Sequence, residues 1–343
     1  MNNRAPRTCA HSRPIPPPPT RLPGWAFTLI AVTLGAVTFG SYRAVVWVHR
    51  QFNPPPVKRV IQAPINDAEW ESMVSGLKAA SGAWRANAGI YMRDMETGRT
   101  WEHNPDKLFP SASLIKVPIM ATVLREVRGG GLTMDEPMKL TRKGRVGGSG
   151  SLKWVREGTT LSVMEIIYKM ITESDNTATR MLIDRLGMER MAEAFRGFGL
   201  EKTNITEEGM SLKSGRVARE NYTTAREMAS LLERIYAGEL VDKEASDFML
   251  DVLKHTKSRS RLRSGLPLGW EIGHKTGLLR RSCHDAGIVF SPRGDYVIVV
   301  LTSEVPDYSS AKKFIAKVAN LTYRYYKLDA DYAQSGGGAG RAL

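Results

Sequence analysis

Ser113 and Lys116 stand three residues apart in the run Ser111-Ala-Ser-Leu-Ile-Lys-Val-Pro-Ile-Met120, just after Pro110. On a helix that spacing stacks both side chains on one face. A serine hydroxyl is a weak nucleophile until a neighbour takes its proton. A lysine can take it when burial or a second cation favours the neutral amine, and Lys275 is a candidate for that cation. The flanking Leu114, Ile115, Val117, Pro118, Ile119 and Met120 predict a helix buried nearly all round. Ser111 and Ser113 are expected as its N-caps. Backbone N–H groups and the positive end of the helix dipole would then lie beside Ser113, a setting that suits an oxyanion.

Two more short motifs follow in order, Ser174-Asp175-Asn176 and Lys275-Thr276-Gly277. A Ser-x-x-Lys alone arises about once by chance in a chain of this length, whereas the ordered triple does not. The three match the S-x-x-K, S-D-N and K-T-G set that serine β-lactamases and penicillin-binding proteins share. From about Ala83 to Tyr326 the chain resembles a class A β-lactamase-type catalytic domain. The likeness runs through Gly147-Gly-Ser-Gly-Ser151, Gly158-Thr-Thr-Leu-Ser162, Ser174-Asp-Asn-Thr-Ala-Thr179, Leu182-Ile-Asp-Arg-Leu-Gly187, Tyr222-Thr-Thr-Ala-Arg226 and Asp285-Ala-Gly-Ile288.

That resemblance implies a hydrolase opening the β-lactam amide through an acyl-enzyme on Ser113. Lys116 would be the acylation base, and Ser174 would pass a proton to the leaving nitrogen. Asn176 would hold the substrate amide, and Lys275 and Thr276 its carboxylate. Gly277 would let the strand come close, and the N–H groups of Ser113 and Leu278 would form the oxyanion hole. One departure concerns deacylation. The family carries Glu-x-x-x-Asn on an omega loop, whereas this chain reads Thr206-Glu-Glu-Gly-Met-Ser-Leu212, with no Asn four residues after either glutamate. Glu208 is the better candidate for activating the deacylating water, with Glu207 beside it. An imperfect water site points to slow turnover. The alternatives are therefore a penicillin-binding D,D-peptidase or transpeptidase acting on cell-wall peptide, or a slow penicillin sensor.

The composition allows a core, with 42% apolar residues in 343. A net charge of +14 favours anionic partners such as phospholipid or cell-wall polymer. The basic residues are scattered and no nucleic-acid motif occurs, so nucleic acid is not expected as a partner. The six histidines lack the spacing of a zinc site, and the glycines from Gly144 to Gly150 are not closed by Gly-Lys-Ser/Thr as in a phosphate-binding loop. No metal or cofactor is expected, and the catalytic domain is expected to be monomeric.

The first 66 positions read as something other than the catalytic fold. Residues 1–24 are a Pro/Arg-rich tail with Arg4, Arg7, Arg13 and Arg21. Residues 25–48, uncharged from Trp25 to Tyr42, are long enough for an uncleaved transmembrane anchor. The preceding arginines would keep the N-terminus cytoplasmic and place the catalytic domain on the extracytoplasmic side. A cleaved signal peptide is the competing reading. Residues 49–66 form a Pro-rich spacer, residues 67–328 the catalytic domain and residues 329–343 a flexible tail. Cys9 and Cys283 would then lie on opposite sides of the membrane.

Within residues 67–328, apolar spacing predicts helices over Asp67–Trp84, Ser162–Glu173, Thr177–Leu186, Glu189–Phe198, Thr224–Ala237, Lys243–Leu253 and Ser309–Tyr326. A hairpin is expected around Glu96-Thr-Gly98, and strands over Trp270–Lys275, Asp285–Phe290 and Tyr296–Thr302. Strands at both ends with helices between imply an α+β fold: an antiparallel sheet built from the N- and C-terminal segments, and a mostly helical subdomain. The site is expected in the cleft between them.

Overall fold

The structure is a computed structural model that describes residues 67–327 apart from 213, 214 and 216. The tail, anchor and spacer expected over residues 1–66, and the tail expected over residues 329–343, lie outside the described residues. Among the described residues no helix is long and apolar enough to cross a membrane.

In chain order the elements begin with α1 (Asp67–Gly82), β1 (Asn87–Asp94), β2 (Thr100–His103) and β3 (Phe109–Pro110). A 3₁₀ turn over Ala112–Ile115 runs straight into α2 (Lys116–Arg128). There follow β4 (Pro137–Lys139), β5 (Thr160–Ser162), α3 (Val163–Thr172), α4 (Asn176–Leu186) and α5 (Met188–Gly197). Then come β6 (Tyr222–Thr223), α6 (Ala225–Ala237), α7 (Lys243–Lys254) and a short α8 (Leu262–Gly265). The chain closes with β7 (Glu271–Leu279), β8 (Ser282–Phe290), β9 (Tyr296–Ser303) and α9 (Tyr308–Tyr326).

The main sheet is antiparallel in the order β2-β1-β9-β8-β7. Side chains alternate across it, as the period of two requires. Tyr296, Ile298 and Val300 join a core with Trp70, Leu77, Phe314 and Ile315 of α1 and α9. Val297, Val299 and Leu301 join the other core, with α2, α3, α4 and α6. Both faces are therefore covered, and β9 is buried at every position. In that second core Val117, Pro118 and Ile119 through Leu124 of α2 are buried together with Lys116, so the expected all-round burial is observed.

The strand carrying Lys275 is longer than its sequence pattern predicts and runs through Leu279. Leu279 pairs with Ser282 across a two-residue turn, Arg280-Arg281, with φ of 48° and 58°. Such turns ordinarily take Asn and Gly at left-handed φ, so two arginines gave no signal. The extension sets Gly277 and Leu278 in a strand beside the 3₁₀ turn. A Cβ on Gly277 would lie 3.2 Å from the Ala112 Cβ and 3.4 Å from the Ser111 carbonyl oxygen.

The start of the Ser113 element corrects one expectation. Neither Ser111 nor Ile115 caps its helix with a side chain, and the Ser111 Oγ is buried without a hydrogen-bond partner. The backbone caps the turn instead: the Leu114 N–H donates to the Ser111 carbonyl at 3.0 Å. Ala112 sits at φ 46°, a strained conformation for a residue with a Cβ.

Candidate active site

Lys116 is 2% exposed, and its ammonium group is wedged among oxygens of the Ser174 segment. Nζ lies 2.6 Å from the Ser174 carbonyl oxygen, 2.8 Å from Asn176 Oδ1 and 3.3 Å from Ser174 Oγ. Burial depresses its pKa well below that of an ordinary lysine, Lys275 depresses it further, and Asp175 pulls the other way. A neutral amine has two N–H donors and one lone pair. With the carbonyl and the amide oxygen taking the donors, the lone pair is left to accept a proton from a serine hydroxyl.

Lys275 approaches from β7. Its Nζ is 3.0 Å from Ser174 Oγ and 3.0 Å from the Thr276 carbonyl oxygen. It is 1% exposed, and burial, reinforced by the Arg261 guanidinium, pushes its pKa down to about 7 while Asp285 opposes the shift. Two buried amines thus share the hydroxyl of Ser174. Ser174 itself is held at φ 54°, a left-handed conformation costly for serine and typical of functional loops.

Asp175 fixes that loop. It is fully buried and caps α4 by accepting from the Ala178 N–H, while its second oxygen accepts from the Leu152 N–H. This ties the glycine-rich loop to the Ser-Asp-Asn turn. Gly150, at φ 101°, makes the contact possible, because a Cβ there would fall 2.2 Å from the Asp175 carboxylate. Asn176 is oriented by two partners: Oδ1 accepts from Lys116, and Nδ2 donates to the Gly147 carbonyl at 2.9 Å.

Beneath β7 lie residues to which the sequence reading gave no role. His274 Nδ1 donates to Asp285 at 2.8 Å, and Asp285 also accepts from the Leu262 N–H. Arg261 is 6% exposed, reaches Cys283 Sγ through Nε, and supplies the positive charge that lowers Lys275. Its only signal was an arginine-dense run, Arg259 to Arg263, just ahead of a strand. His284 is fully buried, and its pKa is pushed down to about 4 by burial. It bridges the Pro110 carbonyl and the Thr302 N–H, so Nε2 carries the proton and Nδ1 accepts. Its neutral ring spaces β8 from the segment that leads into Ser113. Cys283 is a free, buried thiol.

The loop glutamates are both engaged by arginines. Glu207 pairs with Arg180, one turn after Asn176 on α4. Glu208 pairs through Oε1 with Arg219 at 2.8 Å, which holds its pKa below the ordinary carboxylate value, while its Oε2 is buried without a partner. Neither carboxylate joins the hydrogen bonds of Lys116, Ser174 and Lys275. Leu212 closes in instead: a Cβ on Gly148 would lie 2.8 Å from Asn176 Nδ2 and 3.1 Å from Leu212 Cδ1. Beside Asn176 opens a cavity of about 430 Å³ between α4, the glycine-rich loop and the Glu207 turn.

The structure thus brings Lys116, Ser174, Asn176 and Lys275 into one hydrogen-bonded cluster, and sets Gly277 against the turn that carries Ser113. No group of three or more metal-ligating side chains occurs among the described residues. Chemically the cluster can accept a proton at a neutral buried amine, relay it through Ser174 Oγ and hold an anion at a second, still charged amine.

The sequence model of the Beta-lactamase enzyme family matches residues 74–326. A β-lactamase of Streptomyces lavendulae is 30% identical over 71% of this chain and 83% of its own. A mutant of PBP-A, solved as an acyl-enzyme complex with penicillin G, is 29% identical with a TM-score of 0.68, covering 74% of this chain and 96% of that one. An ancestral class A β-lactamase is 27% identical with a TM-score of 0.67, covering 74% and 99%.

Proposed function

This chain belongs to the β-lactamase enzyme family, and from that premise we propose how its site works. It is a serine hydrolase of the β-lactamase type. Ser113 Oγ attacks the carbonyl carbon of the β-lactam, and its proton passes to the neutral Nζ of Lys116. The C–N bond of the ring breaks as the proton moves on through Ser174 Oγ to the departing nitrogen. The tetrahedral oxyanion is met by the N–H groups of Ser113 and Leu278. Asn176 holds the substrate amide, and Lys275 with Thr276 holds its carboxylate. The observation that carries this reading is the convergence of Lys116 and Lys275 on one hydroxyl, with burial and the Lys275 charge pushing the Lys116 pKa well below its ordinary value.

Hydrolysis of the acyl-enzyme then falls to Glu208, whose Oε2 has no hydrogen-bond partner and so remains an acceptor for a water. Three observations favour slow turnover. Arg219 holds Glu208 and lowers its pKa, which makes it a weaker base. Glu207 is taken up by Arg180. Leu212 offers no second polar partner for a water beside Asn176. The same features favour the second reading, a penicillin-binding peptidase on cell-wall peptide that deacylates slowly from β-lactams. For localisation we propose a single-pass anchor at residues 25–48, on the strength of its uncharged stretch and the arginines before it. Stopped-flow kinetics with a chromogenic cephalosporin tests the enzymology. A burst of about one equivalent followed by slow steady turnover is expected, and absence of any burst or turnover would refute the reading.

A further inference from the structure

The cavity beside Asn176 is lined by one cation, Arg145, that pairs with no carboxylate among the described residues. Arg180 faces Glu207 and also pairs with Asp184 at 2.7 Å, so this cation is fully taken up by carboxylates. Arg145 lines the same cavity. Its Nη2 donates to the Val155 carbonyl at 2.6 Å, which anchors the guanidinium. Its Nε is buried without a hydrogen-bond partner, and among the described residues no carboxylate pairs with it. Arg142 and Lys143 in the same turn add to the positive field. The rest of the lining includes Val146, Ile183 and Leu212, which are apolar. A space with an apolar lining, an anchored unpaired guanidinium and an amide at its mouth suits an acyl chain of a few carbons that ends in a carboxylate.

We propose that Arg145 is a specificity residue that selects substrates whose acyl side chain ends in a carboxylate. The inference rests on the hydrolase reading, because it takes Asn176 as the group that directs the acyl side chain into this cavity. It concerns only the preference among substrates that the site already accepts.

Two penicillins made from 6-aminopenicillanic acid test it, one with a glutaryl side chain and one with the matching side-chain carboxamide. Their second-order acylation rates are measured by competition against a fluorescent penicillin at low salt. The wild type should take the glutaryl compound about tenfold faster, the size of one charge-assisted hydrogen bond at a partly wet site. Arg145→Gln should bring the ratio to about one while the carboxamide rate stays the same, and Arg145→Lys should keep most of the preference. High salt should shrink the wild-type ratio. Equal rates in the wild type, or a preference that survives in Arg145→Gln, would overturn the inference while leaving the hydrolase reading intact. Should Arg145→Gln lose all labelling, the Lys variant and the salt series decide: a wild-type ratio unmoved by salt and lost in Arg145→Lys counts against it. If neither compound labels the wild type, the hydrolase reading itself fails.

Discussion

Lys116 and Lys275 meet on the hydroxyl of Ser174, at 3.3 Å and 3.0 Å. Two buried amines this close cannot both hold a proton cheaply. Burial pushes both pKa values down, that of Lys116 well below the ordinary lysine value and that of Lys275 to about 7. In the proposed mechanism the two take the roles of base and anion holder.

The burial of Lys275 costs stability in a defined pH window. Its folded pKa of about 7 lies below the ordinary 10.5. Between those values the unfolded chain binds more protons than the folded one, so this residue's contribution to stability rises with pH. Below pH 7 the penalty is complete. Lys275→Met should therefore raise the melting temperature by roughly a few degrees at pH 6. Scanning calorimetry from pH 6 to pH 10 should show the gain shrinking, and a gain that grew with pH would contradict the assignment.

Acylation should follow a bell-shaped pH profile in kcat/KM. Its acid limb reports protonation of Lys116, and its alkaline limb, near pH 7, reports loss of the Lys275 charge that holds the substrate carboxylate. Arg261→Ala removes the nearby cation, so the Lys275 pKa rises and the alkaline limb moves to higher pH. A limb that stayed in place would show that Arg261 does not act on Lys275.

For deacylation, Glu208→Ala should lower the rate at which the acyl-enzyme decays while the acylation rate stays within about twofold, a change too small to mark loss of a catalytic group. Leu212→Asn should have the opposite effect, raising deacylation by about tenfold by giving a water a polar partner. Single-turnover kinetics separates the two steps. Equal decay in Glu208→Ala and wild type would remove Glu208 from the mechanism.

Gly150→Ala should destabilise the fold by about 2 kcal/mol or more, combining a left-handed φ with a clash. The methyl group would fall 2.2 Å from the Asp175 carboxylate, so the variant should also lose acylation as the Ser174 turn shifts. Urea titration checks the stability, and a midpoint within error of wild type would show that the contact is slack.

Much of the fold was legible because its helices and strands are long and periodic. The burial of α2 followed from an unbroken apolar run, and β9 from a string of β-branched residues. The sequence pattern failed where the backbone departs from common conformations. The Arg280-Arg281 turn uses left-handed residues without glycine or asparagine, so β7 was predicted too short and β8 began too late. The Ser113 turn begins as a 3₁₀ segment after a strained Ala112, so cap chemistry misled. Short pairings such as β3 with β6 join residues far apart in the chain and leave no local trace. At the site, motif spacing located Lys116, Ser174, Asn176 and Lys275. Arg261, His274 and His284 act through burial and proximity across strands, which no local pattern encodes.

Every step proposed for this site begins with acylation of Ser113. Intact-protein mass spectrometry of the wild type mixed with benzylpenicillin, followed by peptide mapping, tests it most directly. A mass gain of one whole penicillin is expected within the mixing time, located on the peptide that contains Ser113, decaying slowly and absent in Ser113→Ala. An adduct that persists in Ser113→Ala, or a wild type that never gains the mass, would contradict it.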